Sequence, residues 1–303
     1  MNRILAIAGV VIKELYRRKD FYVLLVLTAL ITGVLGMINF FNDPTIVRYL
    51  KEVCLLLIWI SSLVICITTA ARQIPAECES RTIFPLLAKP VTRGQFLLGK
   101  FAGCWFACGI ALLVFYLFFA IVSESRGRDR AQATTASAAA ATNAAAGTLV
   151  LAAPPETGHE GHGHEEPEAA GAHSLWINYF QALWLHWVLM GVVTAMVLLG
   201  SVVFTAPSSN TTISFIGVLG ILLLGEHLHK VALQLTEPMQ TLLSLIYFLI
   251  PHLEWNDIRQ RVIYDHPPIA WVHCGLATVY GLAYAGLFLY LAWLIFRRKN
   301  LTV

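Results

Sequence analysis

Residues 72–100 read RQIPAECESRTIFPLLAKPVTRGQFLLGK, and their reading decides the fold. Charges of both signs gather here between two long apolar runs. Pro75 suits the first turn of a short helix, and Glu77 and Glu79 follow where the helix dipole favours negative charge. Pro85 and Pro90 stop that helix, which leaves Ile83, Phe84, Leu86 and Leu87 as an apolar end. Thr92 and Gln95 have capping-box spacing, and Val91 and Phe96 are placed as a hydrophobic staple for the next helix. The segment predicts a short helix over 75–87 and a rigid return, held outside an apolar phase.

That phase is a bilayer. The 303 residues are 57% hydrophobic and 13% charged, against about 25% charged in soluble domains. The chain reads as an all-α polytopic membrane protein with a single transmembrane domain over 1–303. Runs 21–41, 53–71, 96–122, 176–205, 211–225 and 269–296 are the six expected spans, the fifth short for about 30 Å of hydrocarbon. Residues 2–19 have helical apolar spacing and end in Arg17, Arg18 and Lys19, which suits an interfacial helix. Lys100 lies close enough to the start of the third span to snorkel. Residues 123–174 are rich in Ala, Gly, Pro, His and Glu and are expected to form a flexible loop. Within 226–268 the apolar run 239–250 is too short to cross and ends at Pro251, so a re-entrant or interfacial hairpin is expected.

Six spans place the N-terminus, residues 72–100, the Pro207 turn and the C-terminus on one side. That side holds 13 of the 21 Lys and Arg, with clusters at Arg17–Lys19 and Arg297–Lys299, so both termini are expected in the cytoplasm. The 123–174 loop and the hairpin then face outward.

Few residues point to chemistry. Gly94 to Phe101 matches the phosphate-loop pattern up to its last position, where Phe101 replaces the Ser or Thr that would ligate Mg²⁺. No strand precedes the glycine, so the chain is not expected to bind nucleotide or act as an enzyme, and it shows no metalloprotease motif. His159, His162 and His164, with Glu160, Glu165, Glu166 and His173 nearby, form a group that suits Zn²⁺ or Cu²⁺, weakly because the segment must be ordered on binding. The alternative is compositional bias in an exposed loop. Cys104 and Cys108 share a helix face but lack further ligands, and the six cysteines read as apolar packers. His227 and His229 fall on different faces, and His273 reads as interfacial. His186, inside the fourth span, is a candidate functional polar residue or an interhelical hydrogen-bonding group.

Three segments, KELYRRKDFYVLL, IPAECESRTIFPLLAKPVTRGQFLLGK and IYFLIPHLEWNDIR, together resemble ABC-2 type permeases. They look most similar to the copper-maturation branch that serves nitrous oxide reductase. The resemblance implies a permease subunit, of exporter type, in the prokaryotic inner membrane. It implies a coupling helix carrying Glu77, Glu79, Arg81 and Thr82 that docks on a separate ATP-binding subunit holding ATP and Mg²⁺. It also implies a second permease chain, and Pro251 in an outward gate hairpin. The alternatives are a metal-linked membrane transporter and a scaffold for extracytoplasmic metalloenzyme maturation. Absence of Asp and Glu from all six spans argues against an ion-coupled transporter. The transported substance is not legible in these residues.

Overall fold

The computed structural model describes residues 2–17, 19–37, 44–79, 92–148, 168–232, 239–264 and 266–299. Among them every regular element is helical: α1 Asn2–Tyr16, α2 Lys19–Met37, α3 Pro44–Arg72, α4 Pro75–Glu79, α5 Arg93–Thr148, α6 Glu168–Val203, α7 Pro207–Ala232, α8 Met239–Leu249, a 3₁₀ turn Leu253–Asn256, α9 Arg259–Ile263 and α10 Trp271–Arg298. Among the described residues four stretches are long and apolar enough to cross a membrane: Lys51–Glu79, Arg93–Val122, Trp176–Val203 and Trp271–Arg298. The apolar helices Tyr22–Val34 and Pro207–Leu223 are shorter. The protein is an integral membrane protein.

Helix limits depart from the sequence expectations where local propensity outlasts hydropathy. α5 continues from the apolar run through the Ala-rich segment to Thr148, beyond the boundary expected at 122, because alanine is the strongest helix former. α3 begins at Pro44, well before the apolar run, with proline in the first turn where its missing N–H is no loss. Pro207 likewise starts α7 instead of closing a turn, and α7 runs on past 225 to Ala232. Among the described residues the expected hairpin region therefore holds the end of α7, the eleven-residue α8, the 3₁₀ turn and α9. Pro251 is buried just after α8, and its carbonyl accepts the Leu253 N–H at 3.0 Å. Of the expected 75–87 helix, residues 75–79 are helical; 80–91 lie outside the described residues, as does Val91 of the proposed staple.

α6 is the centre of the bundle. Its apolar window is 72% buried, against 28% for α10, which packs along one side of it. α3 and α5 contact α6 and each other, α2 covers α3 and α5, and α7 lies on α3 and α6. Glycines set how closely the helices approach. A Cβ at Gly99 would lie 2.8 Å from Ile7 Cβ, and one at Gly103 would lie 2.6 Å from Val11 Cβ and 3.0 Å from the Ala8 carbonyl. The Gly99-x-x-x-Gly103 spacing is thus the surface on which α1 crosses α5, the use that small residues find in membrane helix packing. Gly103→Ala is expected to destabilise the protein by about 1–3 kcal/mol through overpacking. Gly9→Ala, with nothing within 4 Å, is expected to be neutral or slightly stabilising. Thermal midpoints of the detergent-solubilised variants decide the comparison.

A second pair of glycines locks α5 to α6. Trp105 and Trp187 stack with centroids 4.7 Å apart. Trp105 Nε1 donates to the Trp187 carbonyl at 2.8 Å, and Trp187 Nε1 donates to the Trp105 carbonyl at 3.1 Å. Each indole lies over the glycine four residues beyond the other, Trp187 on Gly109 and Trp105 on Gly191.

Candidate functional site

The functional geometry is organised along one face of α3. Trp59, Ser62, Cys66, Thr69 and Gln73 recur at intervals of three and four, so they share a face that spans about 21 Å. Nearly all of it is buried, and polar side chains from α5 and α6 meet it.

At the α4 end, Lys100 is only 2% exposed. It does not snorkel, because a partner is at hand inside the protein. Its Nζ forms an ion pair with Glu77 of α4 and donates to Gln73 Oε1 at 3.1 Å. Gln73 Nε2 in turn donates to the Thr69 carbonyl at 3.3 Å. A buried ammonium needs both charge and acceptors to offset its desolvation, and α4 with the end of α3 supplies them. The turn into α4 is fixed further by Ile74 N–H donating to Ser201 Oγ at 3.3 Å. Glu77 is therefore committed to α5, while Cys78 and Glu79 remain exposed on α4.

The same end collects the termini of four further helices. Gln95 N–H donates to Thr92 Oγ1 and Thr92 N–H to Gln95 Oε1, both at 3.3 Å, which is the capping box expected from spacing. Arg93 then reaches the end of α10, donating to the carbonyls of Phe296 at 2.6 Å, Arg297 at 3.2 Å and Lys299 at 3.1 Å. Lys299 Nζ donates to the Val202 carbonyl at the end of α6, at 2.7 Å. Asn210, fully buried near the start of α7, donates to the carbonyls of Ala71 at 3.1 Å and Val197 at 3.3 Å. A Cβ at Gly200 would come 2.3 Å from its Oδ1, so the glycine is required for Asn210 to enter. Residues 72–79, the start of α5, the Pro207 segment and the Arg297–Lys299 cluster thus share one end of the bundle.

Midway along the face, His186 is buried between α3 and α5. Ser62 Oγ donates to the Trp59 carbonyl at 2.8 Å, which uses its hydrogen. The 2.9 Å contact from His186 Nε2 to Ser62 Oγ therefore assigns the ring proton to Nε2, and Nδ1 accepts from Tyr116 O–H at 3.2 Å. Both ring nitrogens are satisfied by neutral groups, which is the interhelical hydrogen-bonding role weighed from the sequence. One turn further, Cys66 Sγ lies 3.0 Å from Thr194 Oγ1, whose own hydrogen goes to the Met190 carbonyl at 2.6 Å.

At the other end, the segment before α10 is fastened to α3 and α6. Arg259 binds Asp257 through Nε at 2.8 Å and Nη2 at 2.6 Å, and its guanidinium lies 4.7 Å from the Trp59 ring centre. Gln181 exchanges two hydrogen bonds with the backbone of Ile269, and Asn178 donates to the His266 carbonyl at 2.6 Å. Trp59 Nε1 and Asn256 Oδ1 are buried there without hydrogen-bond partners among the described residues. None of the Asn178, Gln181, Asn210 or Gln73 contacts was anticipated from the sequence; Asn178 and Gln181 carry a signal, as amides inside the apolar run 176–205, whereas Gln73 and Asn210 lie just outside the runs and carry none.

Arg81 and Thr82, like His159, His162 and His164, lie outside the described residues. Among the described residues no three His, Cys, Asp or Glu groups come together as metal ligands, and all six cysteines carry free thiols.

Residues 12–153, from α1 past the end of α5, match the family model described as ABC-2 family transporter protein. The match includes α4 and the start of α5, the elements that hold Glu77 and Lys100, and supports an ABC-2 type permease. A search of curated proteins found no match.

Proposed function

We propose that this chain is the membrane-spanning subunit of an ABC exporter, driven by a separate ATP-binding subunit that docks on α4 and the residues after it. The observation that carries the reading is the Glu77–Lys100 ion pair, which ties a five-residue surface helix to the buried face of α3 and the start of α5. A push on α4 is then delivered to two long helices at once. The α3 face continues it through Ser62 and His186 to Trp59 and Arg259, so the opposite end of the bundle is mechanically continuous with the docking end. In this reading Arg81 and Thr82 meet the partner, and Glu77 holds the lever to the bundle. The side bearing α4 is the cytoplasmic one, as the Lys and Arg bias argues. Two permease chains pair in the assembly, and the segment around Pro251 gates the outer side. Assignment to the copper-maturation branch, and metal contact at His159, His162 and His164, rest on the sequence alone.

Cys78 supplies the test, because it is the exposed thiol of α4 while the other five cysteines are buried. Labelling the assembled transporter with a bulky maleimide is expected to displace the ATPase subunit, whereas a Cys78→Ser transporter treated in the same way keeps it. Retention of the ATPase by the fully labelled wild type would refute docking at α4.

A further inference from the structure

A cavity of about 640 Å³ opens beside the α4 end, between α1, α2, α3 and α7. Its walls change character with depth. Leu15, Leu24 and Ile65 form the apolar part, and Arg72, Glu79, Ser208 and Thr212 the polar part. Ile65 lies two turns up α3 from Arg72, about 10 Å deeper along the helix. The cavity thus passes from charged to hydrocarbon-like over the distance that separates a lipid headgroup from its first acyl carbons.

The charges in it are uncommitted. Arg72 ends α3, is exposed, and makes no hydrogen bond or ion pair among the described residues. Glu79 is exposed at the end of α4 and is not bridged to Arg72. A cavity that offers one guanidinium and one carboxylate, with no ion pair between them, complements a ligand bearing both signs. Guanidinium is the better phosphate ligand of the two basic side chains, since its fork matches two oxygens. The carboxylate suits a primary ammonium, which donates three hydrogen bonds.

We infer that this cavity is a binding site for a phospholipid with an ethanolamine headgroup, its phosphate on Arg72, its ammonium on Glu79, and its acyl chains along Leu24 and Ile65. The site adjoins the Glu77–Lys100 pair through α4, so an occupied site steadies the helix that carries Glu79. The inference does not depend on the permease reading, because it uses only the cavity and its charges.

Native mass spectrometry of the full chain, released from detergent in an equimolar mixture of phosphatidylethanolamine, phosphatidylcholine and phosphatidylglycerol with matched chains, tests it. The expected result is an ethanolamine-lipid adduct at least threefold more abundant than either of the others. Arg72→Ala should lower all three adducts, and Arg72→Lys should retain part of the binding and report that the fold is intact. Glu79→Gln should abolish the preference for ethanolamine while leaving phosphatidylglycerol bound. Equal adducts of the three lipids on the wild type, or adducts unchanged by Arg72→Ala and Glu79→Gln, would overturn the inference. So would competition by chain-free glycerophosphoethanolamine at the same concentration as the lipid, which would show that the apolar wall contributes nothing. A lipid-free dimer that excludes all three lipids would reassign the cavity to a second copy of the chain.

Discussion

Glu77→Leu is expected to destabilise the protein by about 3–5 kcal/mol, because it leaves the Lys100 ammonium buried with Gln73 as its one remaining hydrogen-bond acceptor among the described residues. Lys100→Met should cost less, since Glu77 is partly exposed and its carboxylate regains water when the lysine is gone. The double variant Glu77→Leu/Lys100→Met should recover most of the loss, because the penalty of a stranded charge disappears with the pair. Thermal midpoints of the four proteins in one detergent form the cycle. A double variant no more stable than Glu77→Leu would show that the pair does not act as a unit. Transport should behave differently from stability. In the double variant α4 is no longer tied to α5, so ATP hydrolysis by the partner should continue while substrate movement falls. That split separates a lever from a packing contact.

The second large effect is expected at Gly109→Val. A Cβ there would stand 2.5 Å from Trp187 Nε1, so the indole must leave the α5 surface. Leaving costs its own bond to the Trp105 carbonyl and the stacked contact with Trp105, and it disturbs the reciprocal bond in turn. Interhelical hydrogen bonds in membranes contribute about 0.6–2 kcal/mol each, and overpacking adds about 1–3 kcal/mol, so a total near 3 kcal/mol is expected. Gly217→Val, which meets nothing within 4 Å, is the control. Trp fluorescence should shift with the midpoint, since stacked and released indoles differ in environment. Unchanged emission and midpoint in Gly109→Val would mean that the Trp105–Trp187 lock is not formed.

The elements of this chain differ in how much of their geometry is encoded locally. The Thr92–Gln95 box was legible because both partners lie within one turn, and such local contacts depend only on spacing. The placing of residues 72–79, Pro207 and Arg297–Lys299 at one end followed from counting apolar runs, since a chain that crosses repeatedly must alternate. The small-residue crossing at Gly99 and Gly103 was present in the sequence but hidden by a stronger-looking pattern. Gly99 belongs to two overlapping patterns, a near phosphate loop with Gly94 and a small-residue pair with Gly103, and only the second is used. Lys100 departs from its expected place for a physical reason. Position near a span end permits snorkelling, but the choice between water and an internal carboxylate depends on whether α4 folds back over α5, which no local spacing encodes.

The sequence by itself determined that this is a helical membrane protein, where most of its apolar helices run, and that a charged interruption at residues 72–100 separates two of its apolar runs. Those are properties of composition and short-range pattern, which hydrocarbon enforces because every backbone polar group must be satisfied within its own helix. Only the tertiary structure decided that Glu77 serves the bundle, that His186 is hydrogen-bonded between Ser62 and Tyr116, and that the polar positions of α3 line up with those of α5 and α6. These depend on partners that are distant in sequence, and in a membrane the pairing of buried polar groups is settled by which helix faces meet.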